Sequence, residues 1–235
     1  MSTTVKRALV FGGTGHVGSA VLRRLATAGV PTTFTYRKNA DKARALASEY
    51  SMNALELDIR DASAVRAALS GIEPPNVFVH CAGVSDDSCL ADIGDEAFDE
   101  LYLVNARSAF VACQALAPAM AAAGGGSMVL VGALDRTQSV PVPVHFAASQ
   151  GMLSAMTMAL AKELGGDGIL VNMLAIGLLD GGIGAAVMPM LVEEYVKFSA
   201  LRRLGTADEV ARVIGWLALE NSYVNGRVIA VNGGI

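Results

Sequence analysis

The feature that most constrains this chain lies within its first thirty residues. Val5 to Phe11, apolar from Ala8 onward, runs into Gly13-Thr14-Gly15-His16-Val17-Gly18, and the residues that follow, through about Ala28, repeat apolar side chains at helical spacing. The first stretch predicts a buried strand and the second an amphipathic helix, so the glycines stand at a strand-to-helix turn. A backbone without Cβ atoms lets an anion approach there, and the helix N-terminus behind it supplies free N–H groups and positive potential. G-x-G-x-x-G in this setting predicts a pyrophosphate site for a dinucleotide. Gly12, Gly15 and Gly18 also satisfy G-x-x-G-x-x-G.

The alternation continues along the chain. Further strands are expected at Thr32–Tyr36, Met52–Leu57, Val77–His80, Ser127–Val131, Leu170–Leu174 and Arg227–Val231. Helices are expected at Asp41–Tyr50, Asp61–Ser70, Glu96–Ala123, Phe146–Leu164 and Asp208–Leu219, with Pro118 bending or breaking the third of these. Gly181–Leu201 reads as Gly- and Met-rich, then helical. This pattern predicts an α/β doubly wound (Rossmann) parallel sheet of about seven strands, helices on both faces, in one domain over residues 1–235. A composition of 53% hydrophobic and 17% charged residues suits a sheet buried on both sides.

The same numbers exclude several partners. A net charge of −4 gives no reason to expect nucleic acid or an anionic membrane. Ser108–Leu134 carries no charge, but Pro118 and Gly124-Gly125-Gly126 interrupt it, so it reads as a buried helix and a central strand, not a span. Met1–Lys6 is short and polar and reads as no targeting signal. Cys81, Cys89 and Cys113 lack metal-ligand spacing and suggest a reducing, cytoplasmic setting. His16, His80 and His145 share no helical or hairpin spacing, so no metal is expected.

Thr35-Tyr36-Arg37-Lys38 closes the second strand. An NAD site would place a carboxylate there for the ribose hydroxyls; Arg37 and Lys38 instead favour a 2′-phosphate, hence NADP(H). The other reading is a solvated basic turn. Asp58, after the third strand, is placed to accept from an adenine amino group or to cap the helix that starts near Asp61.

Several stretches together carry a family resemblance. They are the glycine turn, Leu57-Asp58, His80-Cys81-Ala82-Gly83, Val104-Asn105, Gly126-Ser127-Met128-Val129 and Ala161-Lys162-Glu163-Leu164. Val171-Asn172, Leu201-Arg202-Arg203-Leu204-Gly205 and Val231-Asn232-Gly233-Gly234 complete the set. On these the chain resembles the short-chain dehydrogenases/reductases, most of all the 3-oxoacyl-carrier-protein reductase branch. The resemblance implies cofactor contacts at Ala82 and Gly83, and pairing of long helices in dimers or tetramers.

It also implies a catalytic Asn, Ser, Tyr and Lys. Asn105 matches the first; the Ser position falls at Ala133, the Tyr at Phe146 and the Lys at Gln150. Phe has no exchangeable proton and Gln no charge with which to depress a neighbour's pKa. The family's Pro-Gly after the sixth strand stands as Ile176-Gly177, and the Thr that anchors the carboxamide as Gly181. Gln150 retains the capacity to bond a ribose. Departures gather at the nicotinamide and substrate end.

His145, beside Phe146, is a replacement acid oriented by Asp135, or simply a surface-loop histidine next to a turn aspartate. The functions that remain are three. The chain reduces a carbonyl of an acyl or polyketide-like substrate beneath an apolar Gly181–Leu201 lid. Or it is a non-catalytic subunit, homo-oligomeric or held against an active reductase. Or it senses NADP(H).

Overall fold

A computed structural model describes residues 6–133 and 141–235 of the chain. Val5 and Asp135, both named above, lie outside the described residues. In chain order the principal elements are β1 (Ala8–Phe11), α1 (His16–Thr27), β2 (Thr32–Tyr36), α2 (Ala40–Tyr50), β3 (Asn53–Glu56), α3 (Ala62–Ser70) and β4 (Val77–His80). Next come α4 (Asp95–Leu101), a π-helical segment (Tyr102–Arg107), α5 (Ser108–Ala122), β5 (Gly126–Gly132) and α6 (Val144–Leu164). β6 (Ile169–Ile176), a 3₁₀ turn (Gly182–Ala186), α7 (Pro189–Phe198), α8 (Ala207–Leu219) and β7 (Val228–Val231) complete them.

The strands form one seven-stranded sheet in the order β3-β2-β1-β4-β5-β6-β7, every pair parallel. Successive side chains along a strand face opposite ways. Ala8 and Val10 therefore enter one core with Val77, Val79, Val129 and Leu174, under α1, α2 and α8. Leu9 and Phe11 enter the other with Phe78, Met128, Leu130 and Met173, under α3, α5 and α6. Near-continuous apolar strands are what burial on both faces requires. Each fully buried large side chain, such as Phe11 or Phe78, contributes roughly 1.5–3 kcal/mol.

The sheet order reverses between β1 and β4, which opens a crevice at the carboxyl ends of these strands. The loops after β1, β2, β3, β4 and β6 meet this edge; Gly12, Gly13, Gly15, Arg37, Lys38, Asp58, Ala82 and Gly83 lie on them, Gly18 lies on α1, Asn105 on the π segment, and His145, Phe146 and Gln150 on α6.

Two expectations about the long helix are corrected. Pro118 lies within α5 without ending it, because Leu116 and Met120 on either side are held in the core. The regular ladder instead changes at Tyr102–Arg107, where the widened π turn carries Asn105. At the sheet edge β3 is shorter than predicted; Met52 and Leu57 are buried flanks of an otherwise largely exposed strand.

Candidate cofactor and active site

The glycine turn is built by steric necessity. Gly12 has φ 76°, and a Cβ there would lie 2.8 Å from Ala82 Cα. A Cβ on Gly18 would lie 2.1 Å from the Gly12 carbonyl oxygen. Strand β2 braces the turn from the side: Gly12 N donates to Thr35 Oγ1 at 3.2 Å and Gly13 N to Thr35 O at 2.9 Å. Gly15 N-caps α1 and offers no side-chain acceptor, so the first-turn N–H groups have no side-chain cap at the crevice. Gly12, Gly13, Gly15, Gly18, Ala82 and Gly83 are thus brought together, as predicted, in a cradle that suits a pyrophosphate.

At the β2 and β3 ends the charges form a chain. Arg37 Nη1 lies 3.5 Å from Glu100 Oε1, while Lys38 is exposed. Arg60 clasps both Asp58 oxygens, Nε at 2.9 and 3.1 Å and Nη2 at 2.5 Å, and reaches Glu100 Oε2 at 2.8 Å. Hydrogen bonds from Arg60 hold the Asp58 carboxyl below its ordinary range, and the two carboxylates push the Arg60 guanidinium upward. The capping role open to Asp58 is taken by Asp61, whose Oδ1 accepts from Ser63 N at 2.8 Å and Ala64 N at 3.0 Å. Arg60 and Glu100 were not among the predicted site residues. They are 40 positions apart, and no local pattern signals that they pair.

The four positions of the family's catalytic set also converge. Asn105, buried in the π turn, accepts from Val84 N at 2.8 Å and donates to Val84 O at 2.9 Å and to Ser149 Oγ at 3.1 Å. Ser149 Oγ donates to Phe146 O at 2.7 Å. Gln150 is 3% exposed; its Oε1 accepts from Ala133 N at 2.9 Å and its Nε2 donates to Ser149 Oγ at 3.2 Å. Both ends of the amide are therefore engaged inside the protein. Phe146 is buried beside them. Ala133, Phe146 and Gln150 contribute no titratable group. The single lysine of α6, Lys162, lies in its last turn.

His145 is not the surface-loop residue of one of its two readings. The helix starts at Val144, after Pro143 as N-cap, so His145 sits in its first turn and not in a surface loop. Its side chain is 1% exposed, with Nε2 3.1 Å from Asp86 Oδ1 in the loop after β4. Among the described residues Asp86 is the carboxylate beside it; Asp135 lies outside them. Ser88 first, and then His145, hold that carboxyl low. His145 Nδ1 is buried and has no hydrogen-bond partner among the described residues.

Two further histidines sit at the same edge. His16, the first residue of α1, places Nε2 3.1 Å from Asp180 Oδ1, and its ring lies so close to Gly181 that a Cβ there would come within 2.7 Å. The segment after β6 is thereby seated on the first turn of α1. His80 is fully buried, with Nε2 2.7 Å from Ser108 Oγ. Ser108 donates its one proton to Val104 O at 2.7 Å, so the imidazole must be the donor between them. Nδ1 then stays bare, and burial pushes the His80 pKa down to about 4. Burial raises the neighbouring Cys81 thiol to about 12, which makes it a poor nucleophile.

The sheet order, the glycine turn and the converging catalytic positions define a nucleotide-binding oxidoreductase architecture. The chain belongs to the short-chain dehydrogenase/reductase family, and the family model described as enoyl-(acyl carrier protein) reductase matches residues 15–235. It is similar to the 3-oxoacyl-[acyl-carrier-protein] reductase MabA of Mycobacterium tuberculosis, 29% identical over 97% of this chain and 91% of that one. It is equally similar, at 29%, to the cyclic-di-GMP-binding biofilm dispersal mediator protein of Escherichia coli, over 98% of this chain and 97% of the other. Among solved structures, a blue fluorescent protein from a metagenomic library in complex with NADPH superposes with a TM-score of 0.91, 29% identity, and coverage of 100% and 99%. Among the described residues, no helix is long and apolar enough to cross a membrane.

Proposed function

We propose that this chain is an NADP(H)-binding member of its family that does not carry out proton delivery through the family's catalytic positions. It serves as a non-catalytic subunit beside an active reductase. The observation that carries this reading is the closed set of hydrogen bonds among Asn105, Ser149, Gln150 and Ala133 N, with Phe146 in the hydroxyl's place. Each polar group in it has a partner within the set, and among the described residues Phe146 and Gln150 offer neither a hydroxyl nor an ammonium group to deliver a proton.

Cofactor binding is supported by the adenosine half. The uncapped α1 N-terminus and glycine cradle suit a pyrophosphate, Arg37 and Lys38 suit a 2′-phosphate, and a similar solved structure is an NADPH complex. NADP(H), when bound, supplies or accepts hydride; this chain's residues hold and orient it. The subunit role is supported by apolar side chains left exposed on the family's pairing helices: Phe98 on α4, Tyr102 on the π turn, Phe110 on α5 and Met158 on α6. Localisation is expected to be cytoplasmic, where such a partner would be found.

One observation favours a second reading, reduction of an acyl or polyketide-like carbonyl with His145 as the acid. His145 is paired with Asp86 and keeps a bare, buried Nδ1 one residue from Phe146. The two readings separate in one experiment. NADPH binding by fluorescence and NADPH turnover on an acetoacetyl thioester are measured for the native chain, for His145→Asn, and for Ala133→Ser, Phe146→Tyr and Gln150→Lys combined. Binding without turnover in the native chain, and turnover in the triple variant, is the expected result. Native turnover that His145→Asn abolishes would establish the second reading in its place.

A further inference from the structure

The charge chain at the adenosine end contains an inequality that bears on cofactor choice. Glu100 sits between two arginines but does not hold them equally: 2.8 Å to Arg60 and 3.5 Å to Arg37. Arg60 is also fixed by three side-chain contacts with Asp58 and receives the Arg107 guanidinium on its carbonyl at 3.2 Å. Arg37 has only the long contact to Glu100 among its described ion pairs. Arg37 directly follows β2, the position from which a side chain reaches the adenosine ribose. All four side chains are about one-third exposed, so the pairs are open to exchange with an incoming anion.

We propose that Glu100 sets the preference between NADP(H) and NAD(H) by competing with the 2′-phosphate for Arg37, and that Arg60 is the positioning residue that limits this competition by drawing Glu100 away. The proposal rests on the NADP(H) reading above and adds to it a determinant on α4, far in sequence from the basic turn. In the unliganded chain Asp58, Arg60, Glu100 and Arg37 balance to zero charge. A 2′-phosphate brings a dianionic group with three acceptor oxygens and engages the more loosely held guanidinium. Arg60 keeps its two carboxylates, so the exchange involves only the long Arg37–Glu100 contact. A partly exposed pair of this kind accounts for a factor of about five or less in an equilibrium constant.

The test uses the full-length chain and reads binding alone. Dissociation constants for NADPH and NADH are measured by fluorescence, and for 2′,5′-ADP and 5′-AMP by competition; the second pair differs only in the 2′-phosphate. Glu100→Gln is expected to tighten NADPH and 2′,5′-ADP about three- to fivefold while NADH and 5′-AMP change less than twofold. Arg60→Gln releases Glu100 toward Arg37 and moves the NADPH/NADH ratio in the opposite direction. Glu100→Asp is expected to retain much of the native preference. With Arg37→Gln in place, adding Glu100→Gln should no longer alter the ratio. Thermal melts confirm that each variant folds.

The proposal is overturned if Glu100→Gln leaves the ratio unchanged or shifts both nucleotides in parallel, or if its effect persists without Arg37. If the native chain binds neither nucleotide, the NADP(H) reading itself fails and the competition fails with it. Binding with an unmoved ratio removes the competition alone.

Discussion

Mild acid should destabilise this protein through one buried histidine. His80 closes β4 and is wholly inside, between Phe11, Phe78 and the start of α5. Its neutral Nε2–H form donates to Ser108, and its pKa falls from 6.5 to about 4. Between these values the unfolded chain holds a proton that the folded chain refuses. Stability is therefore complete above about pH 6.5, falls as the pH drops, and levels off below about pH 4. With these two pKa values the loss relative to neutral pH is about 2 kcal/mol at pH 5 and about 3 kcal/mol at pH 4. Urea unfolding followed by circular dichroism at pH 7.5, 6, 5 and 4.5 measures it. His80→Gln, whose amide can still donate to Ser108, provides the comparison because it does not titrate. The difference in slope between native and variant isolates this residue from the carboxylates that titrate in the same range. Identical pH dependence in both proteins would refute the reasoning. The effect reaches the site, since β4 leads directly into Cys81-Ala82-Gly83 and Ser108 lies one turn from Asn105.

Two further outcomes follow from the local geometry. Gly18→Ala places a Cβ against the Gly12 carbonyl, so the turn must shift; a lowered melting temperature and weakened NADPH binding are expected together, by thermal shift and fluorescence. Thr206 and Glu209 form a reciprocal capping box at the start of α8, and Thr206→Ala should destabilise the protein by about 1 kcal/mol in urea unfolding, with nucleotide binding unchanged.

The order of elements was legible because each strand-to-helix unit is encoded locally. The apolar end of β1, the glycines and the amphipathic α1 state one supersecondary unit within about twenty residues. Short motifs also picked out Asn105, Ala133, Phe146 and Gln150, of which Asn105 and Gln150 both reach Ser149. What escaped depends on contacts between distant segments. Arg60–Glu100 joins the link after β3 to α4, and His16–Asp180 joins α1 to the link after β6. His145 was misplaced for a smaller reason. The helix was expected from Phe146, whereas Pro143 is its N-cap and it begins at Val144.

The residues at the positions where the family resemblance expects Ser, Tyr and Lys satisfy one another's hydrogen bonds. Ala133 N donates to an acceptor, and Gln150 Oε1 provides it at 2.9 Å. A lysine at 150 has donors only and could not take that bond. Gln150 Nε2 in turn donates to Ser149, whose own proton goes to the Phe146 carbonyl, so the hydroxyl that remains in the cluster is committed as well. An unpaired buried polar group would cost about 1–3 kcal/mol, and these side-chain groups avoid that penalty. This part of the interior is thus built around the Gln150 amide. Restoring lysine alone would place an unpaired cation in a site that is 3% exposed and leave Ala133 N without its acceptor.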